Sequence, residues 1–130
     1  METIGENCLK FKDEEHKKFY VESLAKSTKN DVYHRALFYT LGLSLDTRMA
    51  INRLYDFKTG KIKPEGLGEG WQTSGSIKIS KMAFNMWNGW DEGKGLSTPE
   101  ELFYCENALF FMEAVKIRYP ECCEPRKCVH

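Results

Sequence analysis

The sequence predicts an all-α fold, a compact single domain spanning residues 1–130 with about five helices and a long Gly/Lys-rich loop between the third and fourth. Three observations predict it. Apolar residues recur at i, i+3, i+4 and i+7 in stretches such as "ISKMAFNMW", the spacing of one helix face. Asp, Ser or Thr stands before each such stretch, and their short side chains accept hydrogen bonds from the free amides of a first helical turn. Alternation of period two is confined to "SIKIS", too short to outweigh the helical pattern around it.

Taken in order, Asp13 with Glu14 and Glu15 starts the first helix, because the cap and the acids both suit the positive end of the dipole. It should run to about Ser27, with a narrow stripe of Phe19, Tyr20 and Leu24 and with His16 on the same face. "KSTKND" reads as a linker. Asp31 then caps a second helix, "VYHRALFYTLGLS", which is apolar on nearly every side and is therefore expected at the centre. Gly42 reads as its terminator, and Ser44 or Asp46 as the cap of a short third helix with Ile51, Leu54 and Tyr55 inward.

Residues 58–75, "KTGKIKPEGLGEGWQTSG", contain Pro64 and many glycines, which oppose a long regular element and predict a loop. Ser76 or a neighbour caps the fourth helix, whose stripe is Ile79, Met82, Ala83, Met86 and Trp87. The loop "NGWDEGKGLS" leads to the fifth helix, where Thr98 and Glu101 read as a capping box, Pro99 takes the first helical position and Pro120 follows the end. From about residue 121 the chain is expected to be a flexible tail.

Composition narrows the function classes. Lys+Arg and Asp+Glu both number 19, so the formal net charge is zero, and no global field draws the chain to nucleic acid or to an anionic membrane. No apolar run approaches the length of a membrane span and the N-terminus lacks a signal-peptide pattern, so a cytoplasmic protein is expected. Five cysteines without a secretion signal read as reduced thiols. The tail group Cys122, Cys123, Cys128 and His130 lacks the C-x-x-C spacing that zinc sites favour, so neither metal nor cofactor is expected.

The candidate ligand site is "WQTSGSIKISK". Trp71, Gln72, Thr73, Ser74 and Ser76 lead into a helix start, with Lys78 and Lys81 in its first turns. Free amides, hydroxyls and positive charge together suit a phosphate or carboxylate, although Ser and Thr in these places are also the ordinary cap. The spacing is not that of a P-loop. Arg48 and His34 are added as cationic or hydrogen-bonding partners from other helices. Trp71 and Trp90, in loops, can flank a pocket or close the core, while Trp87 belongs to the apolar stripe. His16, His34, Arg35, Arg48 and Arg53 are otherwise expected to be solvated or paired with acids. Neither histidine has a local nucleophile motif beside it, so catalysis has the least support.

Four stretches, "FKDEEHKKFY", "DVYHRALFYTLGLSLDTR", "GWQTSGSIKISKMAFNMWNGW" and "EAVKIRYPEC", together resemble a family of small uncharacterised proteins, a domain of unknown function from Gram-positive gut bacteria, their phages and conjugative elements. The resemblance spans about residues 11–122. It carries over no catalytic or binding residues. It implies a cytosolic accessory role in a mobile element, including counter-defence, exercised by binding. The leading reading of the residues is a non-enzymatic module that recognises a host or element protein through an exposed aromatic and basic surface around residues 58–90. The alternative is sequestration of a small phosphate-bearing ligand, such as a nucleotide signal, at residues 72–81. A homodimer is also open, because the aromatic content exceeds what a small core needs.

Overall fold

Helix α2 (Val32–Leu41) runs through the middle of the molecule, with α1 (Glu14–Ser27), α5 (Ser74–Asn88) and α7 (Ala108–Arg118) packed around it. The computed structural model describes residues 8–91 and 97–126. Ala36, Leu37, Phe38, Tyr39 and Leu41 of α2 are all fully buried, as an all-round apolar helix must be. The caps sit where the sequence puts them. Asp13 accepts from the His16 amide at 2.8 Å, Asp31 from the His34 amide at 2.9 Å, and Ser44 from the Thr47 amide at 3.2 Å.

The stripe of α5 is also as expected. Ile79, Met82, Ala83 and Met86 are buried, and Trp87 is half-buried against them. Phe111, Ala114 and Ile117 bring α7 to the same core. Each fully buried aliphatic or aromatic side chain of this kind stabilises by about 1.5–3 kcal/mol relative to exposure.

Two expected helices are each divided, so the described residues hold seven α-helices rather than five. The third breaks at Ala50 (φ −100°, ψ 20°) into α3 (Leu45–Met49) and α4 (Ile51–Leu54). The fifth breaks into α6 (Pro99–Phe103) and α7 across residues 104–107. There Asn107 is buried and its side chain accepts from Lys12 Nζ at 3.0 Å. That bond comes from a segment far away in sequence, which helix periodicity does not register.

The long Gly/Lys-rich loop is a correction. Residues 55–68 are built from an antiparallel hairpin, β1 (Tyr55–Asp56) with β2 (Lys61–Ile62), followed by a 3-10 turn over Pro64–Gly68. Asp56 holds the hairpin turn by accepting from the amides of Lys58 and Thr59 at 2.8 and 3.3 Å, and Gly60 takes φ +70°. Glycine adopts that left-handed conformation at no steric cost. A second close fit explains Gly66, where a Cβ would lie 2.4 Å from the Arg53 carbonyl oxygen.

The cysteines bring another correction. Cys105, Cys122 and Cys123 are free, but Cys8 is disulfide-bonded. The chain expected to be a flexible tail is docked as far as Arg126, whose guanidinium donates to Glu113 Oε2 at 2.7 Å and to the Cys8 carbonyl at 3.2 Å. Among the described residues no cluster of His, Cys, Asp and Glu is arranged to hold a metal; Cys128 and His130 lie outside them. Nor is any described helix long and apolar enough to cross a membrane.

Candidate functional site

The hydroxyl run forms a reciprocal cap on α5. Thr73 is the N-cap: its side chain accepts from the Ser76 amide at 3.1 Å, while the Ser76 hydroxyl accepts from the Thr73 amide at 2.7 Å. Ser76 is buried and donates onward to Gln72 Oε1 at 2.5 Å, and Gln72 Nε2 donates to the Gly66 carbonyl at 3.1 Å. Two of the first-turn donors are thereby satisfied within the protein. Ser74 is exposed at the first position of the helix. Lys78 leans away toward α6 and donates to the Tyr104 carbonyl at 2.8 Å. Lys81 is half-buried one turn further along.

Arg48 and His34 do not join this group. The Arg48 guanidinium donates to the Gly42 carbonyl at 2.7 Å, fastening α3 to the end of α2. His34 is buried on α2, its Nδ1–H donating to Asp31 Oδ1 at 2.8 Å and its ring edge-on to Trp87 at 4.7 Å. Burial pushes the Asp31 carboxyl up, but the bonds from the His34 amide and ring outweigh it and leave the acid below its ordinary value. Burial also raises the Tyr55 hydroxyl beside them, helped by Asp31 and Asp56. The rings of His34, Phe38, Tyr55, Phe57 and Trp87 interlock, so this His–Asp pair is built into an aromatic cluster. Trp90 likewise packs edge-on against Phe84 at 5.5 Å.

Trp71 leads to a different surface, one that periodicity did not single out. Its indole N–H donates to Glu69 Oε1 at 2.7 Å, and the same oxygen accepts from Arg53 at 3.2 Å. These three side chains, with Asp46, Met49, Ala50 and Gly70, line a concavity of about 600 Å³. On the other side of α3 a second concavity of about 460 Å³ is lined by Phe19, Leu45, Arg48 and Met49, with Glu15, Lys18 and Glu22 around them. Met49 borders both. It is 80% exposed and Leu45 is 64% exposed, one helical turn apart on a ridge between two hollows. The only sequence signal for it was two apolar residues at i, i+4 lying off the Leu54 stripe.

His16, the other candidate histidine, is fully buried and satisfied on both ring nitrogens. Nε2–H donates to the Tyr39 carbonyl at 2.7 Å, and Nδ1 accepts from the Lys12 amide at 3.0 Å. Burial depresses its pKa to about 4, against the opposing pull of the Tyr39 carbonyl and Asp13. A neutral imidazole fixed in one tautomer is a structural pin between α1 and α2. The expected solvated or acid-paired role therefore holds for Arg53 with Glu69 and for His34 with Asp31, but not for His16. Arg35 is buried as well and donates to the Asn30 carbonyl at 2.6 Å.

The sequence model of one protein family matches residues 6–130, almost the entire chain; that family is described as one of unknown function. No curated protein and no solved structure matches the chain.

Proposed function

The chain belongs to DUF6075, a family of unknown function, and we propose that it acts by binding another protein through the α3 ridge of Leu45 and Met49 together with the wall formed by Trp71. The observation that carries this reading is the placement of Met49, a large apolar side chain held out between two hollows. Water contact with such a side chain is unfavourable, and a partner that covers it gains the burial energy. Methionine and tryptophan are also side chains that suit an interface centre.

The surrounding charges point to a polypeptide rather than a nucleic acid. Asp46, Glu69 and Arg53 border one hollow, and Glu15, Glu22, Lys18 and Arg48 the other. A mixed rim around an apolar centre is the anatomy of a protein interface, whereas phosphate backbones call for a field of one sign. In the mobile-element setting that the sequence resemblance implies, the partner is a host or element protein, and a counter-defence role follows if the host protein is a defence component.

The test compares wild type with Met49→Glu and Leu45→Glu in quantitative affinity purification. Both positions are exposed, so both variants should melt as wild type does. A stoichiometric partner recovered by wild type and lost by both is the expected result, and recovery by Met49→Glu at the wild-type level removes this surface.

A small phosphate-bearing ligand at the start of α5 is the second reading. It is favoured by the first-turn amides of Ser74 and Gly75, for which no acceptor is found among the described residues. Thermal shift against nucleotides and inorganic phosphate tests it, since a ligand at a hundred times its Kd stabilises by about 2.7 kcal/mol.

A further inference from the structure

Helix α7 carries an apolar stripe that the core does not use. Phe111, Ala114 and Ile117 face inward, yet Leu109 is 57% exposed and Met112 is 50% exposed. Lys116 continues the stripe one turn further and is exposed, and just before the helix Tyr104 and Glu106 are exposed too. Residues 109, 112 and 116 stand at i, i+3 and i+7 on one face. Neither Glu106 nor Lys116 has an ion-pair partner among the described residues.

We infer that this face is the contact between two copies of the chain, paired antiparallel about a two-fold axis that runs between the two α7 helices, level with the midpoint of Leu109 and Met112. The commitment to a second copy comes from the order of residues along the stripe. A two-fold at that point sets Leu109 of one copy against Met112 of the other. Lys116 then lies four residues beyond Met112, opposite the segment just before the partner's Leu109, where Glu106 stands with Tyr104 beside it. Apolar meets apolar at the centre, and opposite charges meet at both ends of the same helix. Such self-complementarity is what an isologous interface requires. A chain of zero net charge also offers no long-range repulsion to a second copy. The inference concerns α7 and does not rest on the α3 surface.

The experiment is sedimentation-velocity analysis of the whole chain over a range of concentrations, in low salt, with four variants. Wild type should populate a species of twice the chain mass as concentration rises. Met112→Glu places carboxylates at the centre and should stay monomeric, with its melting unchanged because the position is half exposed. Lys116→Glu and Glu106→Lys should each weaken association by about tenfold or more, and combining them should restore it, because the swap recreates opposite charges across the axis. Wild type that stays monomeric at every concentration overturns the inference. So does a Met112→Glu dimer, or a double variant no better than either single one.

Discussion

The ring of His16 donates from Nε2 to the main-chain carbonyl of Tyr39 across 2.7 Å, joining α1 to the central helix with both partners buried. The same ring accepts from the Lys12 amide through Nδ1. Protonation would place a second N–H against that amide, so the folded protein holds the imidazole neutral.

This has a pH signature. The folded pKa is about 4 against an ordinary 6.5, so the unfolded chain binds the proton first. The contribution is complete above pH 6.5 and is lost as pH falls from 6.5 to 4, amounting to about 3 kcal/mol. Chemical unfolding followed between pH 7 and 4 should show that decline, and His16→Gln, less stable at pH 7, should show a shallower one. An equal slope in the variant assigns the decline to other groups.

Gly42 is required by the same junction. A Cβ there would lie 2.7 Å from His16 Cδ2 and 3.0 Å from the Phe19 ring, and the His16 ring, held by two hydrogen bonds, has little room to yield. Gly42→Ala is expected to cost about 1–3 kcal/mol by overpacking. Gly68, with nothing within 4 Å of its Cβ position, is the control that should change little. Paired thermal melts compare the two.

At the start of α5 the cap and the ligand reading part company. Thr73→Ala removes the N-cap and should cost about 1 kcal/mol, and Ser76→Ala strands buried partners and should cost about 1–2 kcal/mol. Ser74→Ala, exposed and outside the reciprocal pair, should leave stability within about 0.5 kcal/mol of wild type. If Ser74→Ala instead abolishes a thermal shift given by phosphate or a nucleotide, the residue belongs to a binding site.

The two ends of the described chain are held together by a buried carboxylate. Glu113 accepts from both the Lys10 amide and the Arg126 guanidinium, each at 2.7 Å. Arg126→Ala leaves that charge half satisfied and should cost about 3 kcal/mol. Denaturant titration gives the magnitude. Adding Glu113→Gln to Arg126→Ala should recover part of the loss, because the remaining side chain is neutral.

Local chemistry in the sequence determined the helical class, the caps at Asp13, Asp31, Ser44 and Thr98, and the inward stripe of α5, because capping and periodicity act over three or four neighbouring residues. It also marked "QTSGS" as a helix start. Tertiary structure alone decided the rest. The break before α7 follows Lys12 reaching Asn107, and the identity of Gly42 follows the pressure of His16. The hairpin within residues 55–62 depends on pairing that glycine content obscures. Most consequentially, Met49 and Met112 are ordinary apolar residues in the sequence. Their exposure depends on which side of each helix the other helices cover, and that is set by contacts between residues far apart in the chain.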